Sequence, residues 1–247
     1  ICLDPRYPID DFNPPILDNW IAADTSVSPG KSIQFVIGYE EYIKNTYKVQ
    51  IEGYYKDLKN LLTYEETRST TDAEVSDESL SDILTPADGY AYGLELFGQK
   101  MSGNLSGWIA YTYSVSRKIM NSIYDVGENE YYTNWDRTHA LSILGNYQIN
   151  KKWETNWRLS LQSGQAYTPI IGYYVQKFPE SPEEVFRTIP GTRNSGRYEP
   201  YSRLDIGAVY HAKIGKTNVD FFFQIINTLN RSNTFRKVYS LGNTYNG

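Results

Sequence analysis

The stretch WDRTHALSILGNYQINKKWETNWRLSLQSGQAYTP, residues 135–169, decides how this sequence is expected to fold. It predicts two β-strands of about ten residues joined by a short turn at residues 150–152. Side chains of a strand point alternately to its two faces, so alternation of apolar and polar residues indicates one apolar and one polar face. In the second strand the apolar positions are Trp153, Trp157, Leu159 and Leu161, and the polar positions are Glu154, Asn156, Arg158, Ser160 and Gln162.

The same alternation recurs along the chain and predicts eight strands in an antiparallel meander. They cover approximately residues 32–41, 46–56, 90–100, 105–117, 141–149, 153–162, 201–213 and 217–229. Short turns alternate with long loops, which we predict at residues 57–89, 118–137 and 164–200. In a meander all long loops then lie at one end. Unstructured loops of this length are uncommon in compact soluble domains, whereas outer-membrane barrels have short turns at one end and long loops at the other.

Composition excludes several classes of protein. The net charge of −5 and the pI near 5.2 provide no basic footprint for nucleic acid. A single cysteine, Cys2, excludes an intramolecular disulfide and a cysteine-based metal cluster. No run approaches the ~18 apolar residues of a membrane helix, although a β-barrel needs only every second residue to be apolar. We expect no cofactor and no resident metal.

The two ends of the sequence have no regular pattern. Residues 1–31 contain five prolines, which would interrupt any central strand, and we predict an irregular segment there. The chain lacks an initiator methionine and a signal segment, and it stops in polar residues typical of a loop. We therefore interpret residues 1–247 as one partial β-barrel domain of a longer polypeptide.

Aromatic residues give an independent indication of a membrane. The chain has 23 tyrosines and five tryptophans, and several flank the short turns with the parity of the apolar face. Aromatic rings at the ends of apolar strands form the interfacial girdle of membrane barrels. The predicted girdle residues are Tyr39, Tyr47, Tyr147, Trp153 and Tyr210. A soluble β-sandwich explains the alternation equally well, but it does not explain the girdle or the uneven loops.

Arg158 predicts which face meets water. A lipid-facing arginine in the middle of a membrane strand would cost roughly 2–4 kcal/mol, so the row of Arg158 should face the lumen. The predicted lumen-facing residues are Arg158, Glu154, Asn156, Gln162, Gln148, Asp220 and Gln224. A charge network between neighbouring strands is the expected role of Arg158.

Several segments, taken in order, resemble the C-terminal part of the barrel of a TonB-dependent outer-membrane receptor. They are SPGKSIQFVIGYE, YKVQIEGYYKDLKNLL, YGLELFGQK, GNLSGWIAYTYSVS, RNSGRYEPYSRLDIGAVY and FFFQIINTLNRSN. The hairpin quoted first adds Asp136, Arg137, His139, Ser163, Gly164, Tyr167, Thr168 and Pro169. Together they cover most of the chain from residue 28 onward.

This resemblance implies a barrel of twenty-two strands around an N-terminal plug, in the outer membrane of a Gram-negative cell. The present chain would supply about eight strands, without the plug, the TonB-contacting box or the final strand. The implied function is active uptake of a scarce solute of the siderophore, vitamin or glycan class. The implied partners are outer-membrane lipid and, through the missing N-terminal region, TonB.

Two other readings stay open: a complete eight-stranded barrel acting as an anchor or adhesin, and a soluble carbohydrate-binding β-sandwich. We expect no enzymatic activity. Ser142 and His139 have opposite parity, so an outer-membrane hydrolase is not favoured. Asp136 and Arg137 lie where a long loop enters a strand, and we expect them in an ion pair that orders the base of that loop. His211 is expected only to be solvated. The acidic run at residues 72–82 could bind Ca²⁺, but it lacks the spacing of a dedicated loop.

The assignment of Arg158 to the lumen can be tested directly. Replacing Arg158 by Leu should leave membrane insertion intact, because a lumen-facing position does not require an apolar side chain. Insertion is measured as resistance of the vesicle-bound protein to extraction and proteolysis. Failure of the Arg158→Leu variant to insert would reverse the assignment of the two faces.

Overall fold

The computed structural model describes residues 28–64, 84–120, 130–177 and 184–234. These residues form an all-β, antiparallel fold dominated by one nine-stranded sheet. Most of the predicted irregular segment 1–31 and all of the acidic run 72–82 lie outside the described residues. The described ranges contain no helix with the length and apolarity needed to span a membrane.

The described part of the chain contains thirteen strands. In chain order they are β1 (Lys31–Ile43), β2 (Tyr47–Tyr64), β3 (Leu84–Lys100), β4 (Leu105–Met120), β5 (Glu130–Tyr132), β6 (His139–Gln148), β7 (Trp153–Gln162), β8 (Ala166–Tyr167), β9 (Ile170–Lys177), β10 (Glu184–Pro190), β11 (Gly196–Arg197), β12 (Tyr201–Ile214) and β13 (Thr217–Ile225). The main sheet has the order β1-β2-β3-β4-β6-β7-β12-β13, with β5 added beside β4.

The predicted eight-stranded meander is confirmed by this order. Each strand pairs antiparallel with the next, so the short connections after β1, β3, β6 and β12 share one end of the sheet. We call this the turn end. The long connections after β2, β4 and β7 share the opposite end, which we call the loop end. The predicted separation of turns from loops is therefore present.

The predicted loop boundaries are wrong in two places. Strand β2 continues to Tyr64 and β3 begins at Leu84, so much of the expected loop 57–89 is strand. The extension contains a bulge near Asn60, whose φ is 56°, and the bulge breaks the alternation of apolar and polar residues, so alternation could not reveal the extension. In contrast, β13 ends at Ile225 instead of residue 229, because Asn227 adopts a left-handed conformation with φ 53°.

The expected loops at 118–137 and 164–200 also contain strands. Strand β5 lies within the first and pairs with β4. Within the second, β9 and β10 form a hairpin, and β8 pairs with β11. The prolines at 169 and 190 misled the prediction because they flank the hairpin instead of interrupting it, and Gly191 N donates to the carbonyl oxygen of Pro169 at 2.7 Å.

The strand register keeps apolar residues opposite apolar residues. One row of ladder partners contains Tyr39, Ile51, Leu96, Tyr111, Leu141 and Leu161. The neighbouring row on the opposite face contains Gly38, Glu52, Glu95, Thr112, Ala140, Gln162 and Tyr201. We name the two sides of the sheet the apolar face and the polar face. The predicted alternation thus extends over the whole sheet.

The main sheet is a single layer whose apolar face is exposed. Among the described residues no large side chain is fully buried, and Ile37 is 81% exposed. Trp153 is 40% exposed, so no second layer covers it. The exposed residues of the apolar face include Ile33, Phe35, Ile37, Val49, Ile51, Leu94, Leu96, Ile109, Leu161, Ile206, Phe221, Phe223 and Ile225. A β-sandwich would bury such a face against a second sheet about 10 Å away.

The turns are staggered in one direction across the sheet. The ladder row that starts at Tyr47 continues through Lys100, Gly107, Gly145, Trp157, Ile206 and Ile225. Tyr47 is the first residue of β2, whereas Ile225 lies eight residues beyond Thr217, the first residue of β13. A drift of eight residues at ~3.3 Å over six strand spacings of ~4.8 Å corresponds to a tilt of about 40°.

At two glycines of this row, neighbouring atoms lie too close to leave room for a side chain. Gly107 has φ 148°, and a Cβ there would lie 2.2 Å from the carbonyl oxygen of Leu144. A Cβ on Gly145 would lie 2.2 Å from the ring of Trp157, which packs flat against that glycine. Both positions therefore require a residue without a side chain.

We expect Gly107→Ala to lower the free energy of unfolding by about 1–3 kcal/mol, because the clash is with backbone and the φ angle is strained for alanine. Gly53→Ala is the matched control, since its Cβ would meet atoms only at 3.8 Å and beyond. Urea unfolding in detergent, followed by tryptophan fluorescence, measures both. Equal midpoints for the two variants would contradict the expectation.

Candidate functional site

The polar face collects all seven residues that were predicted to face a lumen. The register places Arg158 opposite Leu144 and Asp205, and Asn156 opposite Asn146 and Gly207. Glu154 pairs with Gln148, Gln162 with Ala140, Gln224 with Gly207 and Asp220 with His211. The sheet therefore brings these side chains to one surface. That this surface lines an aqueous interior stays a prediction.

Charges on the polar face are paired between and along strands. Asp205 accepts hydrogen bonds from Arg203 Nε at 2.8 and 3.0 Å and from the backbone N–H of Asn227 at 2.8 Å. Asp205 lies opposite Arg158, as a cross-strand network requires, but its ion-pair partner is Arg203. At the turn end, Lys48 Nζ lies 2.9 Å from Glu40 Oε2.

His211 has charged neighbours on both sides, which corrects the expectation that it is only solvated. Its Nδ1 lies 2.8 Å from Asp220 Oδ1 on β13, and its Nε2 lies 3.9 Å from Glu154 Oε2 on β7. The imidazole thus links three neighbouring strands near the turn end. Sequence parity placed His211 on the right face but could not supply the register that brings the two carboxylates to it.

The polar face is not polar throughout. Phe97 and Trp108 lie on it with ring centroids 6.2 Å apart. Phe222 is 75% exposed on the same face, next to Val209 in the ladder. These rings lie within reach of a ligand or another segment on that side of the sheet.

The five predicted girdle residues all lie on the apolar face in the half nearer the turn end. Trp153 and Tyr210 are ladder partners with ring centroids 4.8 Å apart, and Phe221 extends the contact at 6.5 Å from Tyr210. Tyr47 is the first residue of β2, and Tyr147 is the last residue but one of β6. Both therefore lie beside short turns. The geometry is that of a girdle, while its contact with lipid stays a prediction.

A second aromatic row lies nearer the loop end of the apolar face. Phe35 pairs with Tyr55, and Tyr55 with Tyr92. Tyr55 lies eight residues after Tyr47 on β2, which is about 26 Å along the strand and about 20 Å once the tilt is included. Sequence reasoning missed this row because it becomes a row only when the register is known.

A buried carboxylate anchors the loop end. Asp136 is 2% exposed, and its Oδ1 accepts a hydrogen bond of 2.7 Å from the backbone N–H of Ser116. Its Oδ2 lies 2.7 Å from Arg197 Nη2. The two groups form an ion pair, although their relative orientation does not suit a hydrogen bond. Arg197 Nη1 also donates to the carbonyl oxygens of Asp136 at 2.9 Å and Gly164 at 3.3 Å. The predicted ion pair at a loop base is therefore present, but the partner of Asp136 is Arg197 and not the neighbouring Arg137.

Tyr132 is held between two guanidinium groups. Arg117 lies 4.1 Å and Arg197 lies 4.4 Å from its ring centroid. Arg117 is also 3.0 Å from Glu130 Oε1. Stacking of this kind fixes β5 and the residues around Arg197 to the end of β4, since each cation–π contact contributes about 0.5–2 kcal/mol.

The segment 191–198 is fastened to the sheet by a second group of contacts. Arg193 lies 4.4 Å from the Tyr131 ring centroid and donates to Thr63 Oγ1 at 3.1 Å. Asn194 donates to the carbonyl oxygen of Tyr132 at 2.6 Å and to Asn134 Oδ1 at 2.7 Å. No local periodicity in the sequence predicts these contacts, because they join residues far apart in the chain.

Lys118 lies beside this group at the loop end of β4, more than ten residues from the short turn that precedes the strand. Its Nζ donates to the carbonyl oxygen of Leu62 at 3.0 Å and lies 5.7 Å from the Trp135 ring centroid. Burial lowers the pKa of Lys118 below its ordinary value, and the charge of Arg193 lowers it further. Lys118 therefore loses its proton more readily than an exposed lysine does.

Among the described residues, His139 and Ser142 do not form a catalytic pair. His139 Nδ1 lies 2.8 Å from the Tyr111 hydroxyl on the apolar face, whereas Ser142 lies on the polar face, as its parity predicted. Within the described ranges no group of three or more His, Cys, Asp or Glu side chains has the geometry to hold a metal ion.

Comparison with known proteins adds no family assignment. No protein-family model matches the chain, and no curated protein matches it. The inference of function therefore depends on the two faces of the sheet, its tilt and the anchored loop end.

The Asp136–Arg197 pair should stabilise the fold far more than an exposed pair. We expect Arg197→Met to lower the free energy of unfolding by about 3 kcal/mol, because it leaves a buried carboxylate without a cation. Lys59→Met, which breaks the exposed 3.1 Å pair with Asp88, should lower the free energy of unfolding much less, because solvent screens an exposed pair. Urea unfolding measures both variants, and Asp136→Asn combined with Arg197→Met should recover part of the loss. Equal effects of the two single variants would contradict this account.

Proposed function

We propose that this chain forms part of the wall of an outer-membrane β-barrel, as a segment of a TonB-dependent receptor that imports a scarce solute. The exposed apolar face of a single-layer sheet is the observation that supports a membrane location. Soluble monomers rarely expose contiguous apolar patches of more than a few hundred Å², and here the exposed residues extend from β1 to β13.

The vertical order of side chains on this face fits a bilayer. Two aromatic rows, one containing Tyr47 and Trp153 and the other Tyr55 and Tyr92, lie on either side of a band in which aliphatic residues predominate. Their separation of about 20 Å is close to the ~25 Å apolar band between the girdles of membrane barrels. A carbohydrate-binding sandwich would have no reason to place two such rows on an uncovered face.

The tilt of the strands supports a barrel rather than a flat sheet. Closing a sheet into a barrel requires strands inclined by 35–45° with a fixed stagger between neighbours. The drift from Tyr47 to Ile225 corresponds to about 40°. With that inclination, the polar face would line the interior, and Arg158 and Asp205 would meet water.

The open edges favour a large barrel over a complete small one. In the described ranges, β1 and β13 each pair with only one neighbour and not with each other. Unpaired backbone groups cannot face lipid, so further strands would have to continue the sheet on both sides. This agrees with the resemblance to a receptor in which these strands are an arc of a wider wall.

The loop end would be the outer, solute-binding side. Its hairpin β9–β10 rises from a base fixed by Asp136 and Arg197, and loops on a rigid scaffold commonly carry specificity. In the proposed mechanism these loops and a plug bind the solute, and TonB-relayed energy moves the plug so that the solute passes along the polar face. The chain itself performs no chemical step.

The transport proposal is tested with the whole coding sequence that contains these 247 residues. We expect a plug-encoding region before the segment and a final strand after it. The whole protein should fractionate with the outer membrane, and its uptake of solute should require TonB. Recovery of the whole protein in the soluble fraction would contradict the proposal.

The assignment of the faces predicts opposite results at two adjacent positions. Ile109, 47% exposed on the apolar face, should not tolerate arginine, because a cation in hydrocarbon costs roughly 2–4 kcal/mol. Ala110→Arg, on the polar face, is the matched control and should insert normally. Folding into lipid vesicles at increasing urea concentrations compares the two variants. Equal insertion of both would contradict a lipid-facing apolar side.

A further inference from the structure

Lysines are concentrated at the turn end of the sheet. Each of the four short connections contains a lysine or directly follows one. Together with their flanking residues they contain Lys44, Lys100, Lys151, Lys152, Lys213 and Lys216. The segments 43–47, 100–105, 148–153 and 213–217 contain no aspartate or glutamate. We name these six residues the turn-end lysines.

The turn-end lysines differ from the cations of the loop end in their partners. At the loop end Lys59, Arg117 and Arg197 lie within 3.1 Å of a carboxylate oxygen. None of the six turn-end lysines forms an ion pair with any residue of the described ranges. All are exposed except Lys100, which is half-buried. Their charge is therefore available to an external anion.

Their height relative to the aromatic girdle indicates the kind of anion. Lys152 immediately precedes the girdle residue Trp153, and Lys44 lies three residues before Tyr47. Lysines next to interfacial aromatic residues lie at the level of lipid headgroups. The turns are at least two strand spacings apart, about 10 Å, so the charges form a line along the rim instead of one pocket. Such a line fits many separate headgroups better than one compact ligand.

We propose that the turn-end lysines bind the headgroups of anionic phospholipids in the adjacent leaflet. This inference rests on the proposed membrane location. Each lysine near an anionic surface favours binding by up to about fivefold, and the six act on one rim. The lipids would then fix the depth of the turn end, with the girdle rings packed against their acyl chains.

The proposal is tested with the whole protein that contains these 247 residues, folded into neutral phosphatidylcholine vesicles that contain some phosphatidylglycerol. One lipid or the other carries bromine, which quenches tryptophan emission on contact, and Trp153 lies beside the lysines. Quenching by brominated phosphatidylcholine reports insertion. The ratio of phosphatidylglycerol to phosphatidylcholine quenching reports local enrichment of the anionic lipid.

We expect Lys151→Gln with Lys152→Gln to lower this ratio by about twofold or more, and replacement of all six lysines to bring it close to one. Lys31→Gln with Lys59→Gln removes the same charge at the loop end, where the two residues are ladder partners, and should leave the ratio unchanged.

The outcomes separate this inference from the proposed function. If phosphatidylcholine quenches the emission of every variant but the ratio never changes, the lipid site is overturned and the membrane location stands. An equal fall in the Lys31/Lys59 control would overturn the site as an effect of net charge. If the wild-type chain is not quenched by either lipid, the membrane location itself fails.

Discussion

The register between strands is the constraint on which the rest of the structure depends. Seven antiparallel pairings in succession keep one face apolar and the other largely polar, and a slip of one residue in any of them would invert every side chain beyond it. The positions that admit no side chain help to fix it. The Leu144 carbonyl oxygen packs against Gly107, and the Trp157 ring packs against Gly145, and the two glycines are ladder partners in one row.

The loop end obeys a different rule from the sheet. There the stabilising contacts are polar and buried, as in the contact of Asp136 with Ser116 and Arg197. The sheet has almost no buried apolar core, so these polar contacts and the ladder hydrogen bonds hold the described part of the chain together. A division of this kind is expected when the surroundings of a sheet, rather than its own interior, cover its apolar residues.

The alternation of side chains was sufficient to predict the eight long strands of the main sheet and the faces of the predicted girdle and lumen-facing residues. This alternation depends only on residues close together in the sequence, so it can be recognised without knowing which strands pair. The loop strands β5 and β8–β11, the pairing of His211 with Asp220 and the stacking of Tyr132 between two arginines were not predicted. They depend on contacts between distant residues, for which the sequence contains no periodic signal.

The contacts of Arg197 with Tyr132, Asp136 and Gly164 influence where the sequence of the loop end can vary. The segment after β10 is attached to β4, to β5 and to Gly164 independently of the hairpin that precedes it. The apex between β9 and β10 can therefore be lengthened, shortened or exchanged while both of its stems keep their positions. The sequence of that apex could vary without any change in the sheet beneath it.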